Sequence, residues 1–165
     1  MLRRILVLLG LVFLASFSIQ AQDKVEVFGG YSHQRVGNNP SFNQNGWELA
    51  GQYKLAGFLG LVGDFDGHYG SVEGADTSIH TFLFGPQISF PSRVSPFAQF
   101  LIGGAHAHVD GAADTSFAWT LGFGIDYRIA PAIYWRVIQG GWEPTYLFGH
   151  TQNNARISTG IVVHF

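Results

Sequence analysis

From Phe117 to Arg128 the side chains alternate without a break. Phe117, Trp119, Leu121, Phe123, Ile125 and Tyr127 are interleaved with Ala118, Thr120, Gly122, Gly124, Asp126 and Arg128. Successive residues of a strand point to opposite sheet faces, so a period of two means one apolar and one polar face. The pattern returns roughly every 18 residues, and helical periodicity is nearly absent. Val25, Val27, Gly29 and Tyr31 oppose Glu26, Phe28, Gly30 and Ser32. Trp47, Leu49, Gly51, Tyr53 and Leu55 oppose Glu48, Ala50, Gln52 and Lys54, and Leu59, Leu61, Phe65 and Tyr69 oppose Val62, Asp64, Asp66 and His68. Four more strands are expected around 78–90, 96–108, 132–146 and 156–165, making eight. Pro86 lacks an N–H, so an irregularity is expected there. A register shift is expected at Gly103-Gly104, because Gln99 and His106 differ in parity. A bulge is expected between Arg136 and Glu143, near Gly140.

Which face is buried decides the fold class. On the better-ordered strands the apolar face carries no Asp, Glu, Lys or Arg, and only His80. The polar face carries Glu26, Glu48, Asp64, Asp66, Asp126, Lys54, Arg128, Arg136 and Arg156, five acids and four bases. A soluble core does not take nine charges without heavy pairing. A narrow barrel lumen does, with the apolar face turned to lipid, where one charge at mid-bilayer costs ~2–4 kcal/mol. The expected fold is all-β: an eight-stranded antiparallel up-and-down transmembrane barrel, whose interior is just wide enough for side chains. This explains why 12% of residues are charged, against roughly 25% in an ordinary domain.

Composition removes several function classes. The chain is too apolar and aromatic for disorder. It has no Cys, which excludes a disulfide scaffold and cysteine chemistry. Nine Lys+Arg against 11 Asp+Glu leave no basic surface for nucleic acid. The N-terminus reads as an export signal: Arg3 and Arg4, an uncharged run from Ile5 to Ile19, and the small residue Ala21 before the first acid, Asp23. Residues 1–21 are therefore expected to be a signal peptide cleaved after Ala21, and 22–165 the barrel domain, with seven bases against 11 acids once both arginines are removed. With the mature N-terminus periplasmic, short turns are expected near 56–57, 91–95 and 130–131. Longer external loops are expected at 34–45, 70–76, 109–115 and 147–155, the asymmetry usual in such barrels. Tyr31, Trp47, Tyr69, Phe117 and Trp142 then form an outer aromatic belt, with Tyr53, Phe90, Tyr127, Trp135 and Phe165 as the inner one.

The chain ends Thr159-Gly160-Ile161-Val162-Val163-His164-Phe165, with Ile157, Ile161, Val163 and Phe165 on the lipid-facing parity. This resembles the C-terminal assembly signal of bacterial outer-membrane barrels, its defining positions being Thr159, Gly160, Val163 and Phe165. With Val27-Phe28-Gly29-Gly30-Tyr31-Ser32, Phe84-Gly85-Pro86-Gln87, Pro96-Phe97-Ala98-Gln99 and the Gly103-Gly104 pair, the chain from 23 to 165 is similar to the outer-membrane protein β-barrel domain family, the small OmpA-like barrels. The resemblance implies an integral outer-membrane location with both termini periplasmic. It also implies lipid and lipopolysaccharide as surroundings, and the barrel-assembly machinery as a partner through the last strand. It specifies architecture rather than activity.

Two rows of side chains could carry chemistry. His106, His108 and Asp110 recur every second residue near an outer strand end, and imidazole and carboxylate at that spacing suit zinc or copper. Polar rim residues account for the same pattern, so no metal or other cofactor is expected. Asp64, Asp66 and His68 could do acid–base work, but a lumenal network answering Lys54, Arg128 and Arg136 explains them more simply. No enzyme is expected. The leading reading is a structural or surface-interaction barrel whose lumen is filled by charges and whose loops are available to a ligand the sequence does not specify. A narrow channel and a lipid A-modifying enzyme are the alternatives.

Overall fold

A computed structural model describes residues 24–37, 41–72, 74–109, 111–147 and 149–165. The expected signal peptide and its cleavage site at Ala21 lie outside the described residues, as does Asp110. Eight strands follow one another: β1 (Val25–Val36), β2 (Phe42–Lys54), β3 (Leu59–Val72), β4 (Ala75–Ser89), β5 (Val94–Val109), β6 (Ala112–Ala130), β7 (Ile133–Leu147) and β8 (His150–His164). Each pairs antiparallel with the next, and β1 pairs with β8 from Glu26↔His164 to Arg35↔Ala155, so the barrel is closed. Closure leaves no strand edge unpaired, which is what an apolar solvent demands of a sheet.

The side chains are sorted inside out. Phe123 is 67% exposed on the outer wall, whereas Arg156 is 2% exposed in the lumen. Around the outside run Tyr53, Leu61, Phe84, Phe100, Leu121, Ile138 and Ile161, all exposed. The lumen holds an apolar cluster of Phe28, Ala50, Val62, Leu83, Leu101, Ala105, Ala118 and Val162. A second cluster, Val36, Ile79 and Ala107 with Phe42, lies toward the end opposite the termini, here called the far end. At the other, terminal end, Val25 N–H donates to the Phe165 carbonyl (3.3 Å) and Phe165 N–H to the Val25 carbonyl (2.8 Å), clasping the chain ends.

Three local expectations meet different outcomes. β7 does bulge: its pairing with β8 shifts register between Arg136 and Gln139. At Pro86 there is no bulge, because Leu61↔Pro86 continues the β3–β4 register. The irregularity expected there is instead a gap: the β4–β5 ladder skips Gly85 and Pro86 and resumes in the same register from Phe84↔Ile102 to Gln87↔Gln99. The shift expected at Gly103-Gly104 is absent, since β5 keeps one register against β6 from Val94↔Tyr127 to Val109↔Ala112. Gln99 is therefore lumenal while His106 and His108 point outward, each in its own parity.

The loops at the far end are shorter than the external loops expected from the sequence. The far-end connections are 37–41, 73–74, 110–111 and 148–149, while the terminal-end ones are 55–58, 90–93 and 131–132. Polar residues expected in loops instead continue the strands. Gln34 pairs with Gln44, and Ser71 with Asp76. Pairing within a closed barrel does not stop where the apolar wall stops, so the strand ends run on as a polar collar. Each tight far-end turn closes on a glycine at positive φ: Gly74 (87°), Gly111 (83°) and Gly149 (78°). Glycine supplies that conformation in two-residue hairpins.

Candidate functional site: the charged lumen

Arg156 projects from β8 into the middle of the lumen and meets four carboxylates. Its guanidinium donates to Asp64 through Nη2 (3.0 Å to Oδ2) and Nη1 (3.4 Å to Oδ1). Nη1 also pairs with Asp66, and stands 3.6 Å from Glu143; Nε lies 3.9 Å from Glu48. Period-two placement explains the convergence. Asp64 and Asp66 are neighbours on one face of β3, Glu48 lies opposite Asp66 on β2, and the bulge turns Glu143 inward on β7.

Glu48 also accepts from Gln139 Nε2 (2.6 Å) and from the Ser158 hydroxyl. Gln34 Nε2 donates to Glu143 (3.1 Å). His68 bridges Asp66 (Nδ1, 3.1 Å) and the Ser32 hydroxyl (Nε2, 2.9 Å). Ser32, His68 and Asp66 thus form a serine–histidine–carboxylate string. A nucleophile needs a free hydroxyl beside room for a reacting carbonyl. Ser32 is buried at 0% exposure and its oxygen also bonds Ser158 (3.0 Å), so the string is a filled piece of the network.

A second node lies nearer the terminal end. Arg136 grips Asp126 with two hydrogen bonds, from Nε (2.8 Å) and Nη2 (3.0 Å), and donates from Nη1 to Gln139 (2.6 Å). Its guanidinium is held between the rings of Phe28 (4.5 Å) and Phe97 (4.3 Å), the cation–π arrangement open to a planar cation. Gln139 therefore links the two nodes. At the mouth Lys54 pairs with Glu26, which also lies 3.2 Å from His164 Nε2, and the His164 ring stacks on Tyr134 at 4.1 Å. A cavity of about 260 Å³ opens at this mouth among Glu26, Lys54, Asp126, Tyr134 and His164. Above it the interior void bordered by Phe28, Ala50, Val62, Arg136 and Val162 falls to about 10 Å³. That is room for about one water molecule.

The structure brings Glu26, Glu48, Lys54, Asp64, Asp66, Asp126, Arg136 and Arg156 into these nodes. It leaves Arg128 out. Arg128 is exposed at the barrel mouth and makes no ion pair among the described residues, because its long side chain reaches water there. Glu143 is the member the strand parity hides. It has the opposite parity to Arg136, and only the intervening bulge turns both inward. Six acids, Glu26, Glu48, Asp64, Asp66, Asp126 and Glu143, thus stand against Arg136, Arg156 and the half-buried Lys54.

On β8, Gly160 faces Gly30 across the closing seam. A Cβ on Gly160 would lie 2.3 Å from the Gly29 carbonyl oxygen and 2.5 Å from Gly30 Cα. Thr159 accepts from Trp135 Nε1 (3.2 Å) and donates to the Arg136 carbonyl (2.9 Å), while Val163 and Phe165 lie on the outer wall. His106 and His108 lie together on the outside of β5 and contribute nothing to the lumen.

No protein-family model matches the chain, and no curated protein matches it. Solved structures do. Neisserial surface protein A superposes with a TM-score of 0.70 at 15% identity, covering 86% of this chain and 97% of that one. Ail, the attachment invasion locus protein of Yersinia pestis, gives 0.56 at 17% identity over 84% and 97%. The N-terminal β-barrel domain of Pseudomonas aeruginosa OprF gives 0.54 at 12% over 86% and 98%. The fold is that of the small eight-stranded outer-membrane barrels.

Proposed function

We propose that the protein is an integral barrel of a bacterial outer membrane with a structural or surface-interaction role and both termini in the periplasm. The observation that carries this reading is the inversion: an apolar outer wall enclosing a buried ion-pair network. Lipid and lipopolysaccharide are the surroundings such a wall suits, and the seam at Gly160 and Phe165 is the surface offered to the barrel-assembly machinery. With tight far-end turns, the exposed polar strand ends take over the surface that loops were expected to supply. Neisserial surface protein A and the Yersinia attachment protein, both so named, share this architecture and support a surface role. The narrow interior and the paired charges favour a filled barrel over a channel. The buried serine–histidine–carboxylate string, already bonded to Ser158, gives a lipid A-modifying reaction no open nucleophile.

Fractionation and bilayer recording test the proposal together. The expected result is recovery in the outer membrane, gel mobility that changes on boiling, and no steady conductance. A protein that stays monomeric and soluble without detergent would overturn the membrane reading. Steady single-channel currents would replace the structural role with transport, and a shifted lipid A mass on overexpression would replace it with catalysis.

A further inference from the structure

We infer that the outer face of β5, at the far-end collar, binds a divalent transition-metal ion through His106 and His108. The two side chains leave the same face of the strand two residues apart, and their rings meet at 4.8 Å and 74°. Their Nε2 atoms are 3.0 Å apart, so one proton lies between two nitrogen lone pairs. A metal ion can take the place of that hydrogen bond once both rings turn so that their Nε2 lone pairs converge on it, the shared proton moving to the Nδ1 of His108. Metal–nitrogen bonds of ~2.0–2.1 Å place adjacent ligand nitrogens about 2.9–3.4 Å apart in square-planar or tetrahedral geometry.

The neighbouring strand supplies the supporting group. Thr115, opposite His106 on β6, holds its hydroxyl 2.6 Å from His106 Nδ1. With that hydroxyl accepting from Nδ1–H, Nε2 keeps the free lone pair a ligand needs, the arrangement usual for metal-binding histidines. His108 also borders an open cavity of about 560 Å³ shared with Tyr69, Asp76 and Ser78. Water or a further donor can complete the coordination there. No group of three or more ligating side chains exists among the described residues. The site is therefore a two-imidazole clamp with exchangeable positions, rather than a closed structural centre. Imidazole favours copper, nickel and zinc over calcium or magnesium, and copper(II) binds tightest of the first-row divalent ions. His80, although opposite His106 on β4, is turned the other way: its ring packs against Tyr69 (5.6 Å) and Phe65 (6.4 Å).

The test is a copper(II) titration of the untagged full chain folded in detergent, followed by electron paramagnetic resonance. One tightly bound copper with nitrogen hyperfine structure is expected. His106→Ala and His108→Ala should each weaken binding at least ten-fold, as should the polar variants H106N and H108N, which keep the collar hydrated. Thr115→Val should weaken it about ten-fold through the lost support. His33→Ala and His80→Ala should leave it unchanged, and boiling-dependent gel mobility confirms that each variant is folded. The inference is overturned if the native barrel takes up no copper, if the His106 and His108 variants bind as tightly as it does, or if either control variant loses as much.

Discussion

Two arginines share this lumen and are held in opposite ways. Arg136 has one carboxylate partner, Asp126, two aromatic rings for its faces, and a water-sized void and an open vestibule nearby. Arg156 has four carboxylates around one guanidinium, all fully buried. The first is a self-contained pair. The second is the single cation that lets four acids from β2, β3 and β7 occupy one cross-section. Attraction offsets the cost of burying charge only while the partners stay together, so losing a shared partner costs more than losing an exclusive one.

Substitutions can break or sharpen this contrast. The largest effect is expected for Arg156→Met, which strands Glu48, Asp64, Asp66 and Glu143 together. Breaking a single buried pair costs about 3–5 kcal/mol, and this change should reach or exceed the top of that range. Refolding into lipid vesicles, read by gel mobility and urea titration, should give little or no folded barrel. Arg136→Met should lose less, about 3 kcal/mol, because Asp126 is the one carboxylate it orphans and that carboxylate borders the vestibule. If the two variants lose the same stability, the distinction between shared and exclusive partners is wrong. Phe123→Arg tests the other side of the wall and should cost about 2–4 kcal/mol near mid-bilayer. Lys54→Met should cost least, about 1–2 kcal/mol, since the orphaned Glu26 borders the open mouth and keeps His164 beside it at 3.2 Å. A large loss there would mean that the mouth network is as tightly sealed as the centre.

The same contrast separates what was readable in the residues from what was not. Face assignment was readable wherever parity runs unbroken, and β6 from Phe117 to Asp126 is the plainest case. Arg156 and its partners Asp64 and Asp66 follow from that parity. Their mutual distances do not, because they depend on how eight strands stagger around the barrel. Glu143 needed the bulge placed to within a residue, since one extra residue exchanges the two faces. The loops were misjudged because Asn, Ser, Gln and Asp suit both turns and the water-facing ends of strands. The better signal was the dipeptide Asp110-Gly111, an aspartate–glycine step of the kind that marks tight hairpins. Gly160 was legible only as part of a terminal motif. Its steric role appears once Gly30 is placed across the seam, where Gly160→Val would drive a side chain into backbone.

The inversion of the wall is the central claim, and the absence of native cysteine makes it directly measurable. Single cysteines placed in turn from 117 to 126 would carry spin labels, with collision rates read for oxygen, which concentrates in lipid, and for a water-soluble nickel chelate. The account predicts a period of two: oxygen contact high at 117, 119, 121, 123 and 125 and low at 118, 120, 122, 124 and 126, with little nickel contact at the former set. Equal accessibility along the stretch, or nickel contact at the Phe123 position, would contradict a lipid-facing wall around a charged lumen.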